Sequence, residues 1–183
     1  MKKPFQHLLQ RFKDDDSASL TMEFVLMLPV LMLWFIGSIV FFNAYITKSG
    51  AQRAAHTVSD VISRQTQVDN NFIDTLLLLQ NRMLPRARVG TVRVSSIQKN
   101  ANTGDLAMLW TYSTDANAQP LLINDIPLTD LPLMQAGESV LLVDTSVPFA
   151  PISDWVAMGS NDWTNRVVVT TRFVDPLVNT DFP

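Results

Sequence analysis

The sequence predicts an α+β protein: a single N-terminal transmembrane helix extends into a long amphipathic helix, and a small, mostly antiparallel β-sheet follows. Three observations predict this class. An uncharged stretch of 19 residues lies near the N-terminus, an apolar stripe with helical spacing follows it, and the hydrophobic period changes to two after Pro85. The length of 183 residues suits one such domain with an appendage.

The composition narrows the classes of function. Charged residues make up 17% of the chain, against about 25% in soluble domains, which argues against a disordered chain or a charged coiled coil. The net charge of −3 argues against nucleic-acid binding, which needs a clustered basic face. The chain has no Cys, which removes disulfides, zinc–thiolate sites and thiol nucleophiles.

The uncharged stretch, Phe24–Phe42, contains Pro29 and Gly37. As a helix it would be about 28 Å long, close to the hydrocarbon thickness of a bilayer. A buried core helix is one alternative, but such a helix keeps a polar stripe, and Ser38 is the only polar side chain here. A cleaved signal peptide is another, although its apolar region would span about 7–15 residues. We therefore predict a transmembrane helix over residues 19–47.

Basic residues before this stretch set its predicted orientation. The leader, residues 1–18, contains four Lys or Arg, and the positive-inside rule places it in the cytoplasm and the rest of the chain outside. The four basic residues are Lys2, Lys3, Arg11 and Lys13.

Residues 48–67 are predicted to continue the helix outside the membrane. Apolar residues recur there at spacings of three and four, the pattern of an amphipathic helix. They are Ala51, Ala54, Ala55, Val58, Val61 and Ile62. We expect one helix from about Ser19 to Gln67, with Gly50 as its weak point. A second, short helix is predicted to end before Pro85, with Asn71 as its cap.

Residues 68–183 are predicted to form an extracytoplasmic α+β domain. Four segments rich in β-branched and aromatic residues predict strands at 89–98, 106–113, 138–149 and 165–174, and residues 116–138 predict an irregular loop. Arg86, Arg88 and Arg93 predict a solvated edge of the sheet. One face of the sheet is the expected partner of the helix stripe.

The sequence contains little that indicates catalysis, and we expect no enzyme activity, cofactor or metal. The two His residues, His7 and His56, lie outside the predicted sheet, so a Ser-His-Asp arrangement there would lack its base. No phosphate-binding glycine loop occurs. An anchored hydrolase using carboxylates alone stays an alternative, although nothing in the sequence pairs them. The candidate acids are Asp125, Asp130, Asp144, Asp154, Asp162 and Asp175.

Glu23 lies directly before the uncharged stretch. It can be interpreted as an interfacial acid that reaches water. Its surroundings, SASLTMEFVLMLP from Ser17 to Pro29, place small residues first, then an acid followed by an aromatic residue, then an apolar helix with Pro. This block resembles the head of the TadE-like pseudopilins of tight-adherence (Tad/Flp) pilus systems.

The resemblance implies a pilin-like, non-enzymatic component of pilus assembly, anchored in the bacterial inner membrane or incorporated as a minor subunit. It implies as partners the lipid bilayer, other pilins or pseudopilins, the assembly platform and a prepilin peptidase. Cleavage would fall between Ala18 and Ser19, where processed family members usually have Gly in place of Ala18, and Glu23 would be the fifth residue of the mature chain. The alternative function is a membrane-anchored periplasmic binding or scaffold domain unrelated to pili.

Overall fold

The computed structural model describes residues 16–84, 89–150 and 161–182, with side chains from residue 21 onward. The predicted α+β class is confirmed, because a long N-terminal apolar helix is followed by a small antiparallel sheet. The chain divides into two compact units, residues 1–43 and 44–183. Most of the predicted leader, residues 1–15, lies outside the described residues.

Helix α1, Asp16–Ser63, continues without interruption through Pro29 and through the buried Gly50. Pro29 has no N–H, so the carbonyl of Val25 loses its helical partner, a loss that membrane helices tolerate. The helix ends before the predicted Gln67, because the chain turns after Ser63 into a short strand.

Helix α2, Asn70–Met83, follows strand β1, Gln67–Val68. The cap of α2 is Asp69, whose carboxylate accepts a hydrogen bond from the Phe72 N–H at 2.8 Å. The prediction of Asn71 as the cap is wrong, because Asn71 lies inside the first turn. The acid at the cap also interacts favourably with the positive end of the helix dipole.

The main sheet has four antiparallel strands in the order β3-β2-β4-β5. Its strands are β2 (Thr91–Lys99), β3 (Leu106–Ser113), β4 (Ser139–Phe149) and β5 (Asn161–Val169), and a two-residue strand β6 (Val178–Asn179) pairs in parallel with β1. The first three strands lie where the sequence predicts them.

The fourth strand lies earlier in the chain than the predicted 165–174. The chain leaves the sheet after Val169 and returns to α1, where the Arg172 N–H donates to the Ser63 carbonyl at 2.9 Å. The Arg172 guanidinium also pairs with Asp60 at 2.6 Å. These contacts fix the C-terminal segment on the helix.

The stripe of α1 packs on one face of the sheet, as predicted. Val58 and Ile62 have no exposed surface and form one core cluster with Ile73 and Leu76 of α2. The sheet residues of this cluster are Val92, Val94, Trp110, Leu141 and Val143. A smaller cluster contains Ala51, Ala54, Leu84 and Val147. Because burial of one such aliphatic side chain contributes about 1.5–3 kcal/mol, the helix stripe is a major part of the core.

The opposite face is covered at one end by residues 116–138, which we call the cover loop. Two 3₁₀ turns, Ile123–Asp125 and Leu128–Asp130, give it regular structure where the sequence predicts none. Its inward side chains build a second core cluster with the strands. The members of that cluster are Ile97, Leu121, Ile126, Met134, Val140 and Leu142.

Truncating Ile62 should test the packing of α1. In a fragment of residues 44–183, Ile62→Ala should lower the free energy of unfolding by about 2–5 kcal/mol, because it leaves a cavity between helix and sheet. Urea unfolding followed by circular dichroism measures this. His56→Ala, at an exposed position of the same helix, is the control and should change stability by less than about 0.5 kcal/mol. Equal, small effects of both substitutions would contradict the placement of Ile62 in the core.

Candidate functional site

One helix in the described part of the chain is long and apolar enough to cross a membrane, and it lies near the N-terminus. Its most apolar stretch has a mean hydropathy of 2.5, and only 6% of that stretch is buried. Phe24 and Phe42, at the ends of the uncharged stretch, are 61% and 64% exposed. Exposure to water disfavours such a surface by about 25 cal/mol per Å², so it needs an apolar environment.

The residues singled out by the sequence lie in the part of α1 that precedes Asn43. The peptide bond between Ala18 and Ser19 is within the helical backbone. The Glu23 side chain is exposed and makes no ion pair within the described ranges. A Cβ added to Gly37 would meet no atom within 4 Å, so close packing does not explain this glycine.

A second candidate is a polar concavity of about 460 Å³ on the face of the sheet that the cover loop leaves open. Ala118 and Asp130 of the cover loop lie along it. The strands contribute side chains with hydroxyl and charged groups, among them Thr91, Arg93, Ser113, Asp144, Thr164 and Arg166. The two-residue period of a strand explains this face, because Val92 and Val94 point into the core and Arg93 points away from it.

Arg166 organises the charges of the concavity. Its Nε and Nη2 donate to the two carboxylate oxygens of Asp144 at 2.7 and 3.2 Å, and its Nη1 donates to Asp130 at 3.1 Å. The hydrogen bond with Asp144 raises the pKa of the Arg166 guanidinium above its ordinary value, against partial burial, which lowers it. This two-pronged geometry makes Arg166 a link between β4 and the cover loop.

Arg93 and Asp115 are the other charged residues of the concavity. Arg93 lies opposite Asp144 across the β2–β4 pair and makes no ion pair within the described ranges. The prediction that Arg93 marks a sheet edge is wrong, because β2 lies between β3 and β4. Arg86 and Arg88, predicted with it, lie outside the described residues. Arg93 is therefore a half-buried cation available to a ligand.

An aromatic hydroxyl on the helix-covered face of the sheet belongs to the contact between α2 and the sheet. The Tyr112 hydroxyl donates to Asp74 at 3.1 Å. Partial burial, followed by this hydrogen bond and the nearby negative charges, raises the pKa of Tyr112 above its ordinary value. This side chain therefore joins α2 to β3.

Among the described residues, the titratable groups do not assemble into a catalytic arrangement. His56 is exposed on α1, and no group of three or more His, Asp or Glu side chains is placed to hold a metal ion in the described ranges. Of the acids considered from the sequence, Asp130 and Asp144 are brought together, but through Arg166. The guanidinium occupies oxygen atoms that a paired general acid and base would need free.

The sequence analysis missed the role of Arg166. A usable signal was Asp144, a charge within the apolar segment LLVDTSV, because such a residue needs a partner on the same face of the sheet. The two acidic partners of Arg166 could not be identified from spacing, since Asp144 and Asp130 lie 22 and 36 residues from Arg166 along the chain.

Comparisons with known protein families, curated proteins and solved structures give no match to this chain. Function is therefore inferred from the residues and their geometry alone.

Removing the charge of Asp144 should lower the free energy of unfolding of the domain. Asp144→Asn leaves Arg166 with Asp130 as its ionic partner, and we expect a loss of about 1 kcal/mol in unfolding free energy, a modest value because the pair is partly solvated. Urea unfolding at two salt concentrations measures it. Asp105→Asn, at an exposed position without an ion pair in the described ranges, is the control. The same small effect for both variants would argue against a structural role for the Arg166 link.

Proposed function

We propose that the chain is a non-enzymatic, pilin-like component of tight-adherence pilus assembly, of the TadE-like kind. It would be anchored in the bacterial inner membrane with a cytoplasmic N-terminus and a periplasmic domain, or would enter the pilus as a minor subunit. The observation that carries the proposal is the division of α1. One half is an exposed apolar helix headed by Glu23, and the other half contributes to the core of a small α+β domain.

The two halves of α1 support different parts of this proposal. The first half has exposed apolar side chains all around it, as expected for a helix surrounded by lipid or by the helices of other subunits. The second half has a buried stripe and is held by the sheet. A subunit built this way passes between membrane and fibre without losing its folded domain, because the core residues of α1 stay in place.

Glu23 supports an assembly role beyond anchoring. A carboxylate beside an apolar helix must be solvated by headgroups or paired with a cation. Two unit charges 4 Å apart attract by about 4 kcal/mol at an effective dielectric constant of about 20, enough to select one register between neighbouring helices. The α-amine of a cleaved neighbouring subunit is a cation that could fill this role.

The polar concavity favours a second candidate function, a membrane-anchored periplasmic binding or scaffold domain unrelated to pili. Its half-buried Arg93 and the hydroxyl groups around it could hold a small polar ligand. The two functions differ in what they require of Glu23, since a simple anchor needs no charge at that position.

Replacing Glu23 should separate assembly from anchoring. Glu23→Gln keeps the size of the side chain and removes its charge, so membrane insertion should be unchanged while piliation is lost. Glu23→Asp should be intermediate, because the charge remains but reaches one methylene less far. Pilus counts by electron microscopy, at equal membrane level of the protein, measure the effect. Asp105→Asn removes an acid from the folded domain and serves as the control. Normal piliation in the Gln variant would reject the assembly role.

The mature N-terminus should distinguish processing from permanent anchoring. If a prepilin peptidase acts on the chain, mass spectrometry of the membrane-bound protein should show Ser19 as the first residue, and the bulky variant Ala18→Leu should block the cut. Met1 as the first residue would indicate a permanent anchor with an intact leader. Cleavage before Gln52 would indicate ordinary secretion and contradict the proposed function.

A further inference from the structure

Leucine side chains project outward from the cover loop. Leu122, Leu128 and Leu133 are 61%, 76% and 104% exposed, although the same loop buries three other large apolar side chains against the sheet, those of Leu121, Ile126 and Met134. The buried residues explain how the loop is held. The exposed leucines add nothing to that packing, and they leave aliphatic side chains on the outer side of the loop.

The charge around these leucines has one sign. The cover loop, residues 116–138, contains no Lys or Arg and three acids, Asp125, Asp130 and Glu138. Two described cations reach the loop, Lys99 through the carbonyl of Met134 at 3.0 Å and Arg166 through Asp130. Asp125 and Glu138 make no ion pair in the described ranges. The outer surface of the cover loop is therefore aliphatic and acidic.

Several hydrogen bonds hold the loop in shape. The Gly137 N–H donates to the Lys99 carbonyl at 2.8 Å, and the Gln98 amide donates to the Gly137 carbonyl at 3.1 Å. Within the loop, the Asp125 carboxylate accepts from the Leu122 N–H at 3.2 Å and the Glu138 carboxylate accepts from a backbone N–H at 2.7 Å. A surface fixed in this way loses little conformational entropy when it binds a partner.

We propose that the cover loop is a docking site for a partner protein that presents an apolar groove bordered by Lys or Arg side chains. The exposed leucines fill the groove, and Asp125 and Glu138 face its basic rim. The charge disfavours a membrane as the occupant, because anionic headgroups repel an acidic surface. The loop packs near Val140 of β4. Ala51 and Ala54 of α1 pack near Val147, which lies about 23 Å farther along the same strand.

This site is independent of the pilus-assembly role, because it uses neither Glu23 nor the apolar half of α1. A failure of one proposal therefore leaves the other intact.

Site-specific photo-cross-linking in living cells tests the proposal with the full chain. A photoreactive amino acid at position 133 should give one adduct with a different protein, whereas the same group at exposed Phe173, outside the loop, should give none. Two variants then test the chemistry. Asp125→Asn with Glu138→Gln removes two charges and keeps both hydrogen-bond acceptors, and Leu128→Ala removes an exposed aliphatic group.

Each variant should lower the adduct yield at position 133 about tenfold, as expected when one important contact of an interface is lost. Yields are normalised to the amount of chain in the membrane, and resistance to limited proteolysis should be unchanged. The adduct partner, identified by mass spectrometry and purified, should bind the full chain in detergent micelles less tightly as salt rises.

Adducts only with a second copy of the chain, only with lipid, or no more abundant than at position 173 would overturn the proposal. An adduct whose yield is the same in both variants would overturn it as well.

Discussion

The packing of α1 against the sheet is the interaction on which the rest of the domain depends. Val58 and Ile62 of the helix contact the same core as Val92 and Val143 of the sheet. That face of the sheet has too few polar groups to be solvated, so it needs a cover, and the helix and α2 supply it. The residues of α1 that follow the apolar stretch are thus part of the folded domain. They are not a linker that only connects a membrane helix to a separate domain.

The other face of the sheet follows from this arrangement. The cover loop is long enough to bury the end of the sheet near Ile97 and Val140, and it leaves the middle of that face open. Polar side chains occupy the open part of this face. At its border with the covered part, Arg166 forms an ion pair with Asp130 of the cover loop. The concavity is therefore a consequence of partial coverage. The stability of its wall depends on the ion pairs of Arg166 and on the second core cluster, which hold the cover loop on the sheet.

Elements set by local periodicity could be predicted from the sequence, and those set by distant contacts could not. The stripe of α1 and the strands β2, β3 and β4 repeat their apolar residues at helix or strand spacing, so their positions could be predicted from the sequence. The end of β5 depends on the ion pair of Arg172 with Asp60, a contact across 112 residues that no local sequence pattern indicates.

The cap of α2 was predicted wrongly for a different reason. Asp69 and Asn71 are both good capping residues, and only the backbone geometry selects between them. For the candidate sites, Glu23 and the uncharged stretch can be identified in the sequence, whereas the concavity forms only when four strands and the cover loop come together.

The first half of α1 and the cover loop expose chemically different apolar surfaces. Along the first half of α1 it surrounds the helix and has one acid at its head, a distribution that suits lipid or like helices, which contact a helix from every side. On the cover loop it consists of separate leucines in a loop that also contains Asp125 and Glu138, and hydrogen bonds to β2 hold this loop in place. Lipid does not satisfy that second surface, because acids beside anionic headgroups are repelled, and water satisfies only its charges. The two surfaces therefore call for different partners: the first for a membrane or a bundle of helices, the second for a folded protein with complementary charge.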